Sequence, residues 1–193
     1  GTVVRDLVRM GKRVHLLSGD RPEVVHQVAR QLEIAAVAGG ATPRGDVVLS
    51  TRGLIEIGEP HDGTVRVGAG VALSHLQRVL GSRGLYYPPV PTFDGAFAGG
   101  TVATNAAGAA TFKYGTTRQW VDALTVVLAD GSILDLQRGE VCASDDGWFE
   151  LERVTGDVTA VRIPTYTMPA VPKLSAGYYS APGMDLIDLF IGS

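Results

Sequence analysis

The sequence predicts an α+β fold. Three observations point there. Apolar stretches of strand and helix length alternate over the first 46 residues, and later apolar stretches pair across turn signals as hairpins. The chain of 193 residues, 45 % hydrophobic and 19 % charged, is also long enough to bury a core as one ordinary domain or two small subdomains.

The elements follow in order. Val3, Val4, Leu7, Val8 and Met10 recur at roughly helical spacing, and Gly11 ends that helix. Val14–Leu17 is a short apolar strand. Ser18-Gly19-Asp20 is a turn, and Asp20 with Pro22 opens a helix that presents Val24, Val25, Val28 and Leu32 on one face. Ala35–Ala38 is the next strand, and this βαβ order implies a small parallel sheet. Val47–Ser50 is another strand. Ile55–Ile57 and Thr64–Val67 form a hairpin across Pro60-His61-Asp62-Gly63, and Leu73, Leu76, Val79 and Leu80 line a helix closed by Gly81 and Gly84. Ala123–Leu128 and Ile133–Leu136 pair through Asp130-Gly131, a strong turn dipeptide. Turns at Asp145–Gly147 and Thr155–Asp157 mark an exposed β excursion over 145–163. Pro164, Pro169, Pro172 and Pro182 then trace an extended path, and Met184–Ile191 returns as a helix or buried segment.

Composition narrows the function classes. The net charge of −3 gives no basic footprint for nucleic acid, and no apolar run is long enough to span a bilayer. The single cysteine, Cys142, excludes an intrachain disulfide framework and a multi-cysteine metal site. His15, His26, His61 and His75 show no metal-ligand spacing, and Asp145 and Asp146 read as turn formers. Without an apolar leader at the start, the expected location is cytoplasmic. The chain lacks an initiator Met and stops within the apolar run that begins at Asp188, so it is expected to be a piece truncated at both ends.

Tyr87–Val121 differs from everything around it. It carries prolines at 88, 89 and 91, glycines at 95, 99, 100, 108 and 115, and one carboxylate, Asp94. Glycine permits close backbone approach and proline sets its angle, so this stretch reads as a ligand cradle. A short helix starting near Ala98-Gly99-Gly100 is expected to leave unpaired N–H groups facing open space, suited to a phosphate or pyrophosphate, with Thr104 and Asn105 adding uncharged polar groups. Read singly, Tyr114 would be a core residue and Arg118 an ordinary surface ion-pair partner.

Four pieces in this order, Pro88–Thr92, Gly99–Gly108, Lys113–Arg118 and Val126–Gly131, resemble the flavin-binding domain of the FAD-linked oxidases. These are the vanillyl-alcohol oxidase and p-cresol methylhydroxylase (PCMH) type, especially the glycolate and D-lactate dehydrogenase branch. Val47–Leu54, Gly68-Ala69-Gly70 and Asp185–Ser193 agree, so the resemblance covers about 47–193. It implies an FAD-binding PCMH-type domain of two α+β subdomains. Gly99, Gly100, Thr104, Asn105 and Gly108 would approach the pyrophosphate and ribityl chain. Pro89 and Pro91 would shape a wall, Tyr114 and Gly115 the flavin side, and Gly192 and Ser193 would also lie near the cofactor. FAD is expected to be noncovalent, because no histidine matches an attachment position. The implied activity of the parent enzyme is hydride transfer from a small 2-hydroxy acid to the flavin. The substrate would be bound by a cap domain outside this chain, and no catalytic residue is assigned here.

Residues 1–46 depart from that pattern. Gly11–Val25, with Ala29–Ile34 and Gly40–Pro43, resembles the phosphorylation domain of heavy-metal P-type ATPases, with Ser18-Gly19-Asp20 matching a Thr/Ser-Gly-Asp motif. The phosphorylated Asp motif, the magnesium-binding Asp motif and the membrane helices of that family are absent, and phosphoryl transfer needs them together. Three expectations therefore stand side by side. The chain is the FAD-binding portion of an oxidoreductase, or a nucleotide-phosphate segment, or an inactive fusion fragment joined near Gly45-Asp46.

Overall fold

The computed structural model describes residues 15–18, 35–38, 51–89, 91, 93, 95–128, 131, 133–152, 158–171, 174 and 178–192. They fall into two units: Gly1–Tyr86 with Phe93–Gly100, and Tyr87–Thr92 with Thr101–Ser193. The expected helices before residue 35 and the strand over 47–50 lie outside the described residues.

In the first unit, β1 (His15–Ser18) and β2 (Ala35–Ala38) pair in parallel, His15 opposite Ala35 and Ser18 opposite Ala38. The expected hairpin is present as two antiparallel bridges, Ile57 with Val67 and His61 with Thr64. Its turn is tight because Asp62 and Gly63 both take positive φ, at 46° and 75°, and His61 and Thr64 exchange backbone hydrogen bonds. The chain then folds back on residues 51–54 at Gly68 and Gly70, where any Cβ would run into the carbonyls of Leu54 and Thr51.

Helix α1 (Leu73–Gly81) buries Leu73, Leu76 and Leu80, the spacing of one helical face. It closes through Gly84 at φ 71°, which lets the Leu85 N–H return to the Leu80 carbonyl. Residues 96–99 run antiparallel to 69–73. The N–H groups of Leu73, Ala98 and Gly99 donate to the carbonyls of Ala96, Val71 and Ala69. Helix α2 (Ala98–Ala103) begins there.

The second unit has two hairpins and a compact apolar core. β3 (Ala123–Val127) pairs antiparallel with β4 (Ile133–Gln137), Ala123 opposite Gln137, with Gly131 at φ 87° in the connection. β5 (Trp148–Glu152) pairs antiparallel with β6 (Val158–Arg162), Trp148 opposite Arg162. The core gathers Val121, Leu136, Ala143, Phe149, Met184, Leu186, Ile187 and Ile191. The 145–163 excursion is therefore not simply exposed. Phe149 is fully buried, and Leu151 and Val161 pack on the same core, because period-2 alternation turns one face of the hairpin inward. Burying one such phenylalanine contributes about 1.5–3 kcal/mol.

The C-terminal part of the chain closes that core. Leu186 donates its N–H to the Val141 carbonyl, and Ala143 donates to Met184. This sets up the short helix α4 (Ile187–Phe190), whose Ile187 is fully buried. Among the described residues no helix is long and apolar enough to cross a membrane.

Candidate functional site

The site in the second unit grows from the end of α2. The helix stops because Asn105 takes a left-handed φ of 45°, a conformation asparagine tolerates better than most residues. The Asn105 and Ala106 N–H groups return to the carbonyls of Val102 and Thr101. Buried Asn105 then accepts the Arg118 N–H on its Oδ1 at 3.0 Å. Thr117 donates both its N–H and its hydroxyl to the Ala106 carbonyl. Two strands of irregular backbone, 105–106 and 117–118, are thus strapped together.

Between the straps the chain makes one small turn of helix, α3 (Thr111–Tyr114). The Thr111 Oγ1 accepts the Gly108 N–H at 2.7 Å, while Thr111 donates its own N–H to the Gly108 carbonyl. Gly115 ends α3 at φ 77°, and a Cβ there would also collide with the Gln119 side-chain amide. A 3₁₀ turn over Thr117–Trp120 follows. Half-buried Tyr114 meets Trp120 edge to face at 6.5 Å, and its carbonyl accepts the Trp120 Nε1–H at 2.8 Å.

Arg118 is buried beneath this loop. Its Nη1 donates to the Asp188 carbonyl at 2.6 Å and to Asp188 Oδ1 at 3.2 Å, and its Nη2 donates to the Ile191 carbonyl at 2.5 Å. Its guanidinium also lies over the Tyr179 ring at 4.7 Å. Arg138 grips the same carboxylate from the β4 side, Nη1 to Oδ2 and Nη2 to Oδ1, both at 3.1 Å. It also donates from Nε to the Val121 carbonyl and from Nη2 to the Arg118 carbonyl. Burial works against the charge on Arg138, but the Asp188 hydrogen bonds and the charges of Asp188, Asp185 and Asp122 outweigh it, so its pKa lies above the ordinary value. Arg118 is therefore not the surface ion-pair residue its sequence context suggested. It is a buried bridge between segments 70 residues apart.

A cavity of about 220 Å³ opens beside these groups. Its lining combines Asn105, Thr111, Gly115, Thr116, Arg118 and Gln119 with Met168, Val171, Leu174, Tyr178 and Tyr179. The lining mixes amides and hydroxyls with apolar and aromatic side chains. Tyr87 belongs to the same unit: burial raises its phenol pKa above 10.0, a shift partly offset by a hydrogen bond with the Thr117 side chain.

The expected cofactor residues divide as follows. Asn105 and Gly115 line the cavity, and Gly108 and Tyr114 build the loop around it. Pro89 is buried, Pro91 half-buried and Thr104 exposed. Gly192 is buried at φ 83°, with its N–H on the Val102 carbonyl; Ser193 lies outside the described residues. Gly99 and Gly100 belong to the first unit. The expected row of unpaired N–H groups at the start of α2 needs correction. The Ala98 and Gly99 N–H groups are already donated to Val71 and Ala69, because residues 96–99 run alongside 69–73 there. A Cβ on Gly99 would press on Ala69, so its smallness serves chain packing, whereas Gly100 faces open space. Asp188, Arg138 and the lining residues Met168, Val171, Leu174, Tyr178 and Tyr179 were not singled out from sequence. The one available signal was a pair of carboxylates, Asp185 and Asp188, inside an apolar run.

Comparison with known proteins gives a consistent picture. The profile of the FAD binding domain family matches residues 33–137, so the match starts upstream of the junction expected near Gly45-Asp46. A D-lactate dehydrogenase of Archaeoglobus fulgidus is 37 % identical over 131 residues, covering 67 % of this chain and 29 % of that protein. A D-lactate dehydrogenase of Anaerostipes hadrus is 32 % identical over 176 residues, covering 79 % and 37 %. A D-2-hydroxyglutarate dehydrogenase of Xanthomonas citri is 36 % identical over 112 residues, covering 54 % and 23 %. The chain thus spans well under half the length of these curated relatives.

Proposed function

The chain belongs to the family of FAD-binding domains, and from that premise we propose that it is the cofactor-holding portion of a flavin-dependent dehydrogenase acting on a small 2-hydroxy acid. The observation that carries the reading is the cavity of the second unit, whose lining mixes hydrogen-bonding groups with apolar and aromatic side chains. At about 220 Å³ it is smaller than the roughly 300–1,000 Å³ of whole ligand pockets, so it suits one end of a long cofactor. A planar heteroaromatic ring with a polar edge fits that lining, and the flavin end of FAD is such a ring.

In this reading Tyr114 and Gly115 shape the flavin side, Asn105 and Gly108 hold the loop that faces the ribityl chain, and Thr104, Pro89 and Pro91 complete the surroundings. Gly192 lies near the cofactor. In the first unit Gly100 serves as a point of close approach, and Gly99 keeps its backbone in place. FAD is held without a covalent bond. When bound, the flavin supplies hydride acceptance, and this chain supplies position and exclusion of water. The names of the curated relatives, D-lactate and D-2-hydroxyglutarate dehydrogenases, support a 2-hydroxy acid as donor. Groups that bind the acid and take its hydroxyl proton would come from a cap outside these residues.

The test is flavin retention. Protein incubated with FAD and desalted is expected to keep flavin absorbance at one equivalent, and free elution of the flavin would sink the binding claim. Anaerobic mixing of the FAD-loaded protein, expressed from the whole reading frame that carries this chain, with D-lactate or D-2-hydroxyglutarate should bleach that absorbance. Retained flavin that neither acid bleaches would remove the substrate assignment alone.

A second reading concerns the residues before the matched stretch. Ser18 ends β1 at the carboxyl edge of a parallel pair, where α/β proteins commonly bind phosphates, and it opens Ser18-Gly19-Asp20. Thermal stabilisation by ATP but not by FAD would favour a nucleotide-phosphate segment, and stabilisation by neither would favour an inactive fusion.

A further inference from the structure

One carboxylate, Asp188, sits between two guanidiniums, and each guanidinium also holds backbone. Arg118 takes the carbonyls of Asp188 and Ile191, next to Gly192, while its own N–H is held by Asn105. Arg138 takes the carbonyl of Val121, just past the 3₁₀ turn, and that of Arg118 near its start. The network therefore joins three pieces that local structure leaves independent: the irregular loop 105–118, the end of α4, and the β3–β4 hairpin. Asp185 works alongside it, accepting the Gly139 N–H on Oδ2 and the Ile187 N–H on Oδ1.

This arrangement is more than charge neutralisation. If Asp188 only balanced a buried arginine, one contact would suffice. Instead, Arg118 spends two nitrogens on the last carbonyls of α4, and the Gly192 N–H returns to Val102 at the end of α2. The backbone on both sides of Asn105 is thereby tied to the Ile191–Gly192 turn. Both segments carry residues assigned above to the cofactor.

We propose that Arg118, Asp188 and Arg138 form a positioning clamp that holds the 105–115 loop and the Ile191–Gly192 turn in the arrangement that receives FAD. Arg118 also lines the cavity, whereas Asp188 and Arg138 act through Arg118, through Asn105 and through the α4 carbonyls. The assignment to FAD rests on the function proposed above, whereas the clamp itself is a property of the protein without ligand.

Two measurements on the full chain separate these. Asp188→Asn keeps the shape and removes the charge. It is expected to weaken FAD binding about tenfold in a flavin fluorescence titration, the size of a lost charge-assisted contact. Without FAD, it should raise amide hydrogen exchange over 105–115 and 187–192 while β5–β6 stays protected. Asp188→Glu, which keeps the charge, should recover part of both effects. Unchanged exchange over 105–115 in Asp188→Asn overturns the clamp. So does exchange that rises evenly, β5–β6 included, with Asp188→Glu no better than Asp188→Asn, because that is the mark of a merely buried charge. If wild type binds no FAD, the cofactor assignment fails while the exchange data still decide on the clamp. Should Asp188→Asn not fold, Arg138→Gln at its half-exposed position must show the same exchange pattern at smaller size, and its absence overturns the clamp.

Discussion

Two stretches of the second unit, each bent back on itself, are held by opposite means. The β5–β6 hairpin is anchored by apolar burial: Phe149 is fully enclosed, and regular pairing satisfies the backbone groups that face the partner strand. The 105–118 loop places almost nothing apolar in the core. It is held by Asn105, Thr117 and Thr111, each hydrogen bonded to backbone, and by the Arg118–Asp188–Arg138 charges beneath it. Apolar packing is non-directional and forgiving, whereas hydrogen bonds and buried charges demand a geometry. The loop that must present a shaped cavity uses the directional kind.

Three perturbations break or sharpen this contrast. The largest effect is expected on the apolar side. Phe149→Ala should cost about 3–5 kcal/mol in urea denaturation, through lost transfer energy and the cavity left behind. Its cost should spread over the whole unit and lower the unfolding midpoint as one transition. Asn105→Ala comes next, at about 2–3 kcal/mol, because alanine is strained at positive φ and leaves the buried Arg118 N–H without its acceptor. Asn105→Gly relieves the strain alone, so a smaller loss there measures the backbone part. Equal losses from the two would show that only the Oδ1 contact matters.

The smallest effect concerns Tyr87, whose phenol pKa is raised above 10.0 by burial. The folded state favours the neutral phenol, so this contribution is fully present below pH 10.0 and is lost as pH rises through the folded value. Wild type should therefore lose stability above pH 10.0 faster than Tyr87→Phe does in thermal melts followed across pH. Parallel curves would show that the phenol does not feel the loop.

The regular elements were largely legible in the sequence. Helix α1 follows from Leu73, Leu76 and Leu80 at one-face spacing, and β3–β4 from alternation around Gly131. Gly131, at φ 87°, marks a turn where its neighbours in sequence suggested one. The stretch 87–121 stood out in the sequence for its glycines and prolines, but the packing roles within it were not all legible. Gly99 looks like Gly100 in sequence, yet one faces Ala69 and the other open space, a difference created by the packing of 96–99 along 69–73. Phe149 lies in a segment dotted with turn residues, so its burial could not be read from its neighbours.

What lies within a few residues along the chain was therefore open to reading: periodicity, turn chemistry, and the ordered motif set that places the chain among FAD-binding domains. Helix and strand periods and glycine's freedom act locally, and they leave local marks. The partners of Arg118 left no local mark beyond two carboxylates in an apolar run. Asp188 lies 70 residues away, and its carboxylate stands between two arginines because the β3–β4 hairpin and the closing segment pack on one core. Buried charges are settled by such long-range packing, since only the assembled interior makes leaving one unpaired costly.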